Sequence, residues 1–420
     1  MKKLLIKSAL VGGKERDLLI DGDRIEKIAE NISADGCEVV DAKGLTALPA
    51  FVDMHVHLRE PGFEYKEDIE SGSKAAVAGG FSAVCCMPNT KPVTDNKYIV
   101  RYIKDRAKEV GLVKVYPIAA VSVGEKGETI TEMGKLKEAG AVAFSDDGRP
   151  VESAQLMRIA LEYAGGLNMP VISHCEDLSL VNEGVMNEGY ISTLTGLKGI
   201  TRASEEVMVA RDIVLAEALG ARVHIAHIST KGSAQLIREA KARGVKVTCE
   251  TCPHYFAATD ELCKDNDANA KVNPPLREES DRLAMIEAIK DGTVDAIVTD
   301  HAPHAKHEKD GGFIGAANGI SGIETSFALS YTTLVRTGEI TLEKLSQLMT
   351  SSPASIVGIE CGALEEGAKA DVTLVDLNEK YKIDKEKFFS KGKNTPFHGR
   401  EVYGKVRYTV VDGKVKYKAV

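Results

Sequence analysis

Apolar, β-branched runs alternate with helix-like segments through the middle of this chain. Several of the helix-like segments end in glycine, where helices commonly stop. Near-continuous apolar strands separated by helices predict a parallel sheet that is covered by helices. Eight such units within about 250 residues are the number that closes a (β/α)8 barrel of the TIM type. An open doubly wound sheet is the alternative, but no Gly-x-Gly-x-x-Gly sequence between a strand and a helix supports it. The eight runs are residues 47–57, 81–88, 113–122, 140–147, 169–176, 222–229, 245–254 and 296–303.

The two ends of the chain follow a different pattern, in which short alternating strands are joined by turns. Asp21-Gly22 between apolar stretches is a hairpin signal, and the strands after residue 355 resemble the early ones in type. Lys7 interrupts a short apolar run at the start, which predicts a strand rather than a signal peptide. We expect residues 1–50 and 355–420 to form one small β-sandwich domain beside a barrel of residues 51–354.

Composition places the chain among ordinary globular proteins. Of its 420 residues, 43% are hydrophobic and 28% are charged, and the formal net charge of −8 comes from acids and bases that are mixed along the sequence. Without a basic tract we expect no nucleic-acid partner, and without a long apolar run we expect no membrane span. The eight cysteines, with Cys85 and Cys86 adjacent inside an apolar run, predict buried thiols in a reducing cytoplasm.

The segment FVDMHVHLREPG (51–62) carries a local signal for metal chemistry. His55 and His57 are two residues apart at the end of the first apolar run, and residues so spaced point to the same face of a strand. Neutral imidazole is a common ligand of Zn²⁺ and similar ions. Arg59 lies two residues after His57, so it is expected on the same face, and it is a candidate anchor for an anion. Taken alone, the pair is equally consistent with one buried and one exposed histidine beside a turn.

Further polar residues fall at the ends of the predicted strands, where the active site of a (β/α)8 barrel lies. Asp147 ends strand 4, His174 strand 5, His227 strand 6 and Asp300 strand 8. Together with the histidines of strand 1, these nitrogen and oxygen ligands suit Zn²⁺, and their number suits two ions better than one. Any one of these histidines, considered alone, is also consistent with a hydrogen-bonded core residue that binds no metal. Unrelated core residues, however, would not be expected to occur at so many strand ends together, so the whole set favours a shared site.

Neighbouring residues leave alternatives open. Asp146 competes with Asp147 for the inward face of strand 4, and we favour Asp147 as the ligand, with Asp146 capping the following turn. His224 lies three residues before His227 and is expected on the opposite strand face, as a structural residue. His254 closes strand 7 and is expected to pack near the site without binding metal.

Five segments together carry a family resemblance: HVHLREPG (55–62), MPNT (87–90), FSDDG (144–148), NPPLR (273–277) and DHAPH (300–304). They resemble class I dihydroorotases, of the amidohydrolase superfamily, and the resemblance covers essentially the whole chain. The His-x-His pair alone marks only the superfamily, whereas Arg59 and the MPNT segment narrow it to the cyclic-amide branch. Many members of that branch bridge two metals with a carboxylated lysine on strand 4. Residues 140–144 contain no lysine, and the SDDG sequence that follows matches the class I pattern of a bridging aspartate.

The resemblance implies the roles of individual residues. Two Zn²⁺ ions per subunit are implied, one held by His55, His57 and Asp300, the other by His174 and His227, with Asp147 contacting both. Substrate-binding roles are implied for Arg59, Asn89, Asn273, His304, Asn318 and Gly319.

The implied reaction is the reversible cyclisation of N-carbamoyl-L-aspartate to (S)-dihydroorotate with loss of water, in pyrimidine (UMP) biosynthesis. In the hydrolytic direction a hydroxide bridging the metals would attack the ring amide, and Asp300 would carry the proton to the leaving nitrogen.

A homodimer is expected, and an association with aspartate transcarbamoylase is known for some family members. The polar, glycine-rich segment 305–319 is a candidate lid, with an ordinary long loop as the alternative.

Two other functions remain in competition. The nearest is a dihydropyrimidinase, hydantoinase or allantoinase, against which the missing strand-4 lysine and the presence of Arg59 both argue. The other is a non-catalytic barrel that serves as a scaffold. A scaffold would be expected to have lost metal ligands, and the sequence retains the full set.

Overall fold

The computed structural model describes residues 2–419, and strands and helices within that range are numbered along the chain. The strands are β1 (Leu4–Val11), β2 (Lys14–Asp21), β3 (Arg24–Ala29), β4 (Glu38–Asp41), β5 (Thr46–Pro49), β6 (Phe51–Val56), β7 (Phe81–Cys86), β8 (Lys114–Ala119), β9 (Ala143–Phe144), β10 (Val171–Ser173), β11 (Met186–Asn187), β12 (Gly199–Ile200), β13 (Val223–Ile225), β14 (Val247–Thr251), β15 (Ala296–Ile297), β16 (Val372–Lys382), β17 (Glu401–Val411) and β18 (Lys414–Lys418).

The α-helices are α1 (Ile69–Ala78), α2 (Lys97–Val110), α3 (Met133–Ala139), α4 (Ala154–Gly166), α5 (Leu178–Val181), α6 (Tyr190–Thr195), α7 (Ala203–Leu219), α8 (Lys231–Ala242), α9 (Pro253–Ala257), α10 (Glu279–Lys290), α11 (Lys306–Lys309), α12 (Gly312–Gly315), α13 (Ser326–Ser330), α14 (Leu342–Leu348) and α15 (Ser351–Val357). Short 3₁₀ turns cover Val123–Glu125, Asp260–Cys263, Ala268–Ala270 and Lys385–Lys387, and a π turn covers Tyr331–Val335.

Eight parallel strands form a nearly closed barrel in the order β6, β7, β8, β9, β10, β13, β14 and β15. A parallel bridge between Val56 and His301, with His57 N donating to His301 O at 2.9 Å, joins the first strand to the last. The predicted (β/α)8 barrel is therefore confirmed, and each predicted run contains one barrel strand. The observed strands are shorter than the runs because the last residues of each run leave the ladder and enter the loops at the mouth.

Local sequence explains why helices cover the barrel. In α2, the Asn96 side chain accepts hydrogen bonds from Tyr98 N at 3.1 Å and Ile99 N at 3.3 Å, so the first turn is capped. Gly111 ends the helix with a φ of +60°, which glycine adopts at little cost. Val100, Ile103 and Ala107 form the buried stripe. This spacing places them on one face, which packs against the barrel.

The two ends of the chain build a second sheet, in the order β18, β17, β16, β5, β1, β2 and β3, with β4 paired to β1. The antiparallel pairing of β5 with β16 joins the amino-terminal and carboxyl-terminal halves. This sheet has its own buried cluster, which includes Ile6, Leu18, Ile20, Val372 and Leu374. Because a single residue, Ala50, separates β5 from β6, the sheet leads directly into the first barrel strand.

Two composition-based expectations have structural counterparts in residues 2–419. Across that range, no helix is both long enough and apolar enough to cross a membrane. The eight cysteines are all free thiols, and six of them are buried.

Candidate metal centre and substrate pocket

Asp147 lies between two pairs of buried histidines at the carboxyl ends of the barrel strands. His55 Nε2 is 3.4 Å from Asp147 Oδ1, and His57 Nε2 is 3.4 Å from Asp147 Oδ2. On the other side, His174 Nδ1 is 3.6 Å and His227 Nε2 is 3.5 Å from Asp147 Oδ1. In each of the two triads that share Asp147, the ligand atoms lie within 4.8 Å of one another. The carboxylate can therefore serve two cation sites at once.

Asp300 joins the triad of strand 1. Its Oδ1 is 3.1 Å from His57 Nε2 and 3.5 Å from His55 Nε2. The backbone has positive φ at Asp300 (45°), at His227 (32°) and at Arg59 (62°). Such conformations are uncommon for residues other than glycine and cost about 1–3 kcal/mol each, and they cluster at functional sites. Local strain therefore accompanies three of the predicted site residues.

The donor set fits divalent metal ions. Two buried ligand atoms, His55 Nε2 and Asp147 Oδ1, have no hydrogen-bond partner among the described residues, and a bound cation would satisfy such atoms. Burial opposes charge on Asp147, but the charge of His55 and the nearby imidazoles of His174 and His227 hold the pKa of this carboxyl well below its usual range. The ionised carboxylate and the imidazoles suit Zn²⁺ and related ions.

A carboxylate outside the predicted set, Glu250 of β14, supports His55 from behind. Glu250 is fully buried, with Oε1 2.6 Å from His55 Nδ1 and Oε2 3.1 Å from His224 Nε2. Burial opposes its ionisation, yet the neighbouring His55 and His224 hold the pKa of Glu250 at about 2. A carboxylate on one ring nitrogen fixes the orientation of a metal-binding imidazole and leaves the other nitrogen for the metal. The sequence signal was present, because a glutamate inside a buried strand requires a partner.

His224 was expected on the strand face opposite to His227, and this face is wrong, since its side chain turns toward Glu250; its expected structural role stays a prediction. His224 contacts Glu250, which contacts His55, so it belongs to the hydrogen-bond network next to the histidine–carboxylate triads. The alternation count fails because the β13 ladder ends at Ile225 and His227 has left the extended conformation. Within the same barrel, His254 is buried and packs its ring on Tyr255, with the centroids 4.2 Å apart.

Asp146 faces away from the histidine triads. Its Oδ1 accepts a hydrogen bond from Ser122 N at 3.0 Å, and its Oδ2 accepts one from the Ser122 hydroxyl. Arg149 N donates to the Asp146 carbonyl at 2.8 Å in the turn that follows. Asp146 thus holds the loop after β9 in place, while Asp147 reaches the histidines.

A polar pocket adjoins the triads, where the loop after β15 meets the segment after β6. Arg59 Nε donates to Pro303 O at 3.3 Å, and Arg59 Nη2 lies 3.4 Å from His304 Nε2. His304 Nε2 donates to Asn318 O at 2.8 Å. Gly319 has a φ of +146°, and a β-carbon there would lie 2.6 Å from a backbone carbonyl oxygen. Only glycine therefore lets this segment approach the His304 loop so closely.

The two remaining predicted substrate residues lie beside histidines of the two triads. Asn89 Oδ1 is 2.9 Å from His57 Nδ1. The Asn273 side chain contacts the carboxylate of Glu176, whose Oε2 is 3.3 Å from His174 Nε2. Glu176 was not predicted from the sequence, although its position two residues after His174 was a usable signal. The substrate-binding roles of Asn89 and Asn273 stay predictions.

The candidate lid, residues 305–319, contains α11 and α12. Lys309 Nζ donates to the carbonyl oxygens of Ala268, Lys271 and Ala317 at 3.0, 3.1 and 2.6 Å. These bonds tie the segment to the turn before Lys271. A role as a moving lid stays a prediction.

The barrel and its site define an amidohydrolase. The model of the amidohydrolase family matches residues 196–417, and a model described as dihydro-orotase-like matches residues 44–233. A dihydroorotase from Acetivibrio thermocellus is 55% identical over 399 residues, which cover 95% of this chain and 94% of the relative. Another from Pelobacter propionicus is 54% identical over 406 residues, with 96% of each chain covered. The chain belongs to the dihydroorotase family.

Solved structures with the same fold have more distant sequences. An L-hydantoinase (dihydropyrimidinase) from Arthrobacter aurescens superposes with a TM-score of 0.87 at 24% identity, covering 99% of this chain and 96% of the other. A dihydropyrimidinase from Brevibacillus agri gives 0.82 at 23% identity, covering 98% and 94%. At this identity the likeness establishes the shared fold alone.

Proposed function

We propose that this chain is a cyclic amide hydrolase that interconverts N-carbamoyl-L-aspartate and (S)-dihydroorotate, with loss of water on cyclisation, in pyrimidine biosynthesis. The observation that carries the proposal is a cationic pocket beside the histidine–carboxylate triads, in a chain 55% identical to a dihydroorotase. The triads suit the ring amide of the substrate, and the pocket suits its carboxylate. Both chemical features of dihydroorotate thus have a counterpart in the site.

Two Zn²⁺ ions per subunit are the proposed cofactor. When bound, such ions polarise an amide carbonyl and lower the pKa of water toward neutrality. The unpartnered buried nitrogen and oxygen atoms of the triads support this assignment. One ion would be held by His55, His57 and Asp300, the other by His174 and His227, and Asp147 would contact both.

Asp300 is the proposed general acid and base. Its side chain is 7% exposed and lies against His57, with the loop of the polar pocket directly after it in sequence. Burial opposes ionisation, but the hydrogen bond from His57 and the charges of His55 and His57 lower the pKa of Asp300. The ionised carboxylate accepts a proton from the attacking water and returns it to the leaving ring nitrogen. In cyclisation the same carboxyl group acts in the reverse order.

Arg59 is the proposed anchor for the substrate carboxylate. Its planar guanidinium suits bidentate contact with a carboxylate. Burial first, and then the charge of Arg59, lower the pKa of the neighbouring His304 to about 3. His304 is therefore neutral at physiological pH, and it adds no second charge to the pocket; its one N–H is the Nε2–H that it donates to Asn318 O.

Three further properties are proposed on the family resemblance and on cysteine usage alone. They are a homodimer, an association with aspartate transcarbamoylase, and a location in the cytoplasm. Size measurement of the purified chain tests the first, and co-purification with aspartate transcarbamoylase tests the second.

The decisive experiment pairs substrate turnover with metal content. Purified protein should hydrolyse dihydroorotate and cyclise carbamoyl aspartate, lose both activities on chelation, and regain them with Zn²⁺. Elemental analysis should find two ions per subunit in the active form. Hydantoin and allantoin are the control substrates, since both are cyclic amides without a carboxylate. Turnover of either control in preference to dihydroorotate would refute the proposed substrate.

A further inference from the structure

One segment of the carboxyl-terminal sheet leaves that sheet and reaches the barrel mouth. Residues 388–400 connect the turn after β16 to β17, and we call them the strap. Phe389 N and Ser390 N donate to the two carboxylate oxygens of Glu324 at 3.0 and 3.1 Å. Lys391 N donates to Glu67 Oε1 at 3.2 Å, and Ser390 Oγ donates to Glu67 as well. Two barrel carboxylates therefore hold the first part of the strap.

The middle of the strap packs closely on the loop after β15. A β-carbon at Gly392 would lie 2.5 Å from Pro303 Cβ, so any side chain there would push the strap away from Pro303. The carbonyl of Pro303 accepts the hydrogen bond from Arg59 Nε at 3.3 Å. The strap thus lies on the backbone that holds the guanidinium of Arg59.

Asn394 of the strap joins the two segments that form the polar pocket. Its Oδ1 accepts hydrogen bonds from His304 N at 3.0 Å and Ser321 Oγ at 2.9 Å. Its Nδ2 donates to Ala302 O at 3.0 Å and to Gly319 O at 2.9 Å. The residue is only 3% exposed, and its amide uses both donor hydrogens and its acceptor oxygen.

These contacts set the separation between His304 and Gly319. Each half of the amide binds one group from the His304 loop and one group from the 319–321 segment, so the two segments cannot move apart without breaking bonds on both sides. His304 in turn donates to Asn318 O and lies 3.4 Å from Arg59 Nη2. A buried amide with several partners is costly to leave unsatisfied, which makes this arrangement rigid.

We propose that Asn394 is a positioning residue for the substrate carboxylate: it never touches the substrate, and it holds His304 and the Asn318-Gly319 backbone at the spacing that the carboxylate requires. This inference rests on the proposed function for the nature of the ligand. The carboxylate is not a reacting group, and loss of such an anchor weakens binding in the ground state and the transition state alike. KM for dihydroorotate should therefore respond much more than kcat.

The test compares Asn394→Ala and Asn394→Asp with wild type, and Lys391→Ala is the matched control. Lys391→Ala removes the strap's ammonium contact with Glu64 O, at 2.7 Å, and with Asp68, and leaves the Asn394 amide intact. We expect Asn394→Ala to raise KM about 10- to 100-fold, the range for displaced positioning groups, with kcat within about threefold of wild type and unchanged zinc content. Asn394→Asp keeps the acceptor for His304 N but places an oxygen against the carbonyl oxygens of Ala302 and Gly319, so its KM should rise at least as much as that of Asn394→Ala. Lys391→Ala should leave KM unchanged.

Amide hydrogen exchange supplies a readout that requires no substrate. Exchange should accelerate in Asn394→Ala across residues 302–304 and 319–321, and stay as in wild type across residues 223–229. Unchanged exchange in the first two segments, or a KM within about twofold of wild type, would overturn the proposal. Equal loss of kcat and zinc in both Asn394 variants would assign a general structural role instead, and would overturn it as well. If wild type fails to turn over dihydroorotate, the proposed function fails, and the exchange result still decides whether Asn394 positions these segments.

Discussion

The Glu250→Gln variant tests whether a carboxylate behind the metal ligands sets the metal affinity of the site. Glutamine has the same shape and keeps one acceptor oxygen, so the bond to His55 Nδ1, now 2.6 Å, can persist. The amide NH₂ then faces His224, whose Nε2 can accept if Nδ1 donates to Thr248 Oγ1, 2.8 Å away. Packing and most hydrogen bonds survive, and the principal loss is the negative charge beside His55.

The size of the effect follows from that loss. Removing the partner of a metal-bound histidine costs about 10- to 100-fold in metal affinity, or about 1.4–2.7 kcal/mol. Because the glutamine oxygen retains a neutral hydrogen bond to His55, we expect the lower part of this range, about 10- to 30-fold. The melting temperature of the metal-loaded protein should fall with the weaker binding.

Zinc affinity should be measured by competition with a chromophoric chelator. Asp371→Asn is the matched control, because Asp371 is also a buried carboxylate but contacts Lys114 at 2.6 Å, at the first residue of β8. That position is at the end of the barrel opposite the metal ligands, so the control should lose stability and keep its zinc affinity. A zinc affinity within about twofold of wild type in Glu250→Gln would refute the reasoning.

Three further predictions concern different parts of the protein. Asp300→Asn should lower kcat about 10²- to 10⁴-fold, because amide nitrogen cannot carry the proton, and turnover near the wild-type rate at full zinc occupancy would exclude the role. Arg59→Met should raise KM for dihydroorotate about 10- to 100-fold through loss of charged hydrogen bonds, and unchanged kinetics would remove the anchor. Burial raises the pKa of Glu324 to about 7 from 4.5, so its stabilising contribution is complete below the unfolded value and is lost as pH rises through 7. Glutamine does not titrate, so the free energy of unfolding of Glu324→Gln, relative to that of wild type, should increase by up to about 2 kcal/mol between about pH 5 and pH 8. Denaturant titration at each pH measures both values. Parallel pH profiles of the two proteins would contradict the raised pKa of Glu324.

The barrel could be predicted from the sequence because its strands are buried on both faces and separated by helices. Each of the eight apolar runs contains a barrel strand, from β6 to β15. The bounds were less predictable: the run 296–303 contains only Ala296–Ile297 as a strand. The remaining residues of this run are apolar or inward-facing, as the strand residues are, but their backbone leaves the strand for the loop at the barrel mouth. The pattern of hydrophobic residues does not show where the strand ends.

The site was predictable as far as it depends on residues at strand ends. Two residues of the site were not predicted correctly from the sequence. Glu250 lies inside a strand, where alternation indicates a core position and says nothing about the imidazole it contacts. His224 was misplaced because the parity rule was carried past the end of β13, where φ at His227 is +32°. The two failures differ in cause: the local period stops applying at the end of β13, whereas within β14 it holds but does not reveal which side chain Glu250 contacts.

Asn394 escaped prediction for a topological reason, and that reason explains what the second sheet contributes. The barrel closes between β6 and the loop after β15 through an isolated bridge that pairs Val56 with His301, and we call this junction the seam. Arg59 and His304 lie on either side of that seam. The strap crosses it between the 11-residue strands β16 and β17, and it binds Glu67 on one side and Ala302 on the other. Residues more than 300 positions apart in sequence are thereby joined across the seam, and the sheet built from both chain ends contributes to the candidate substrate pocket.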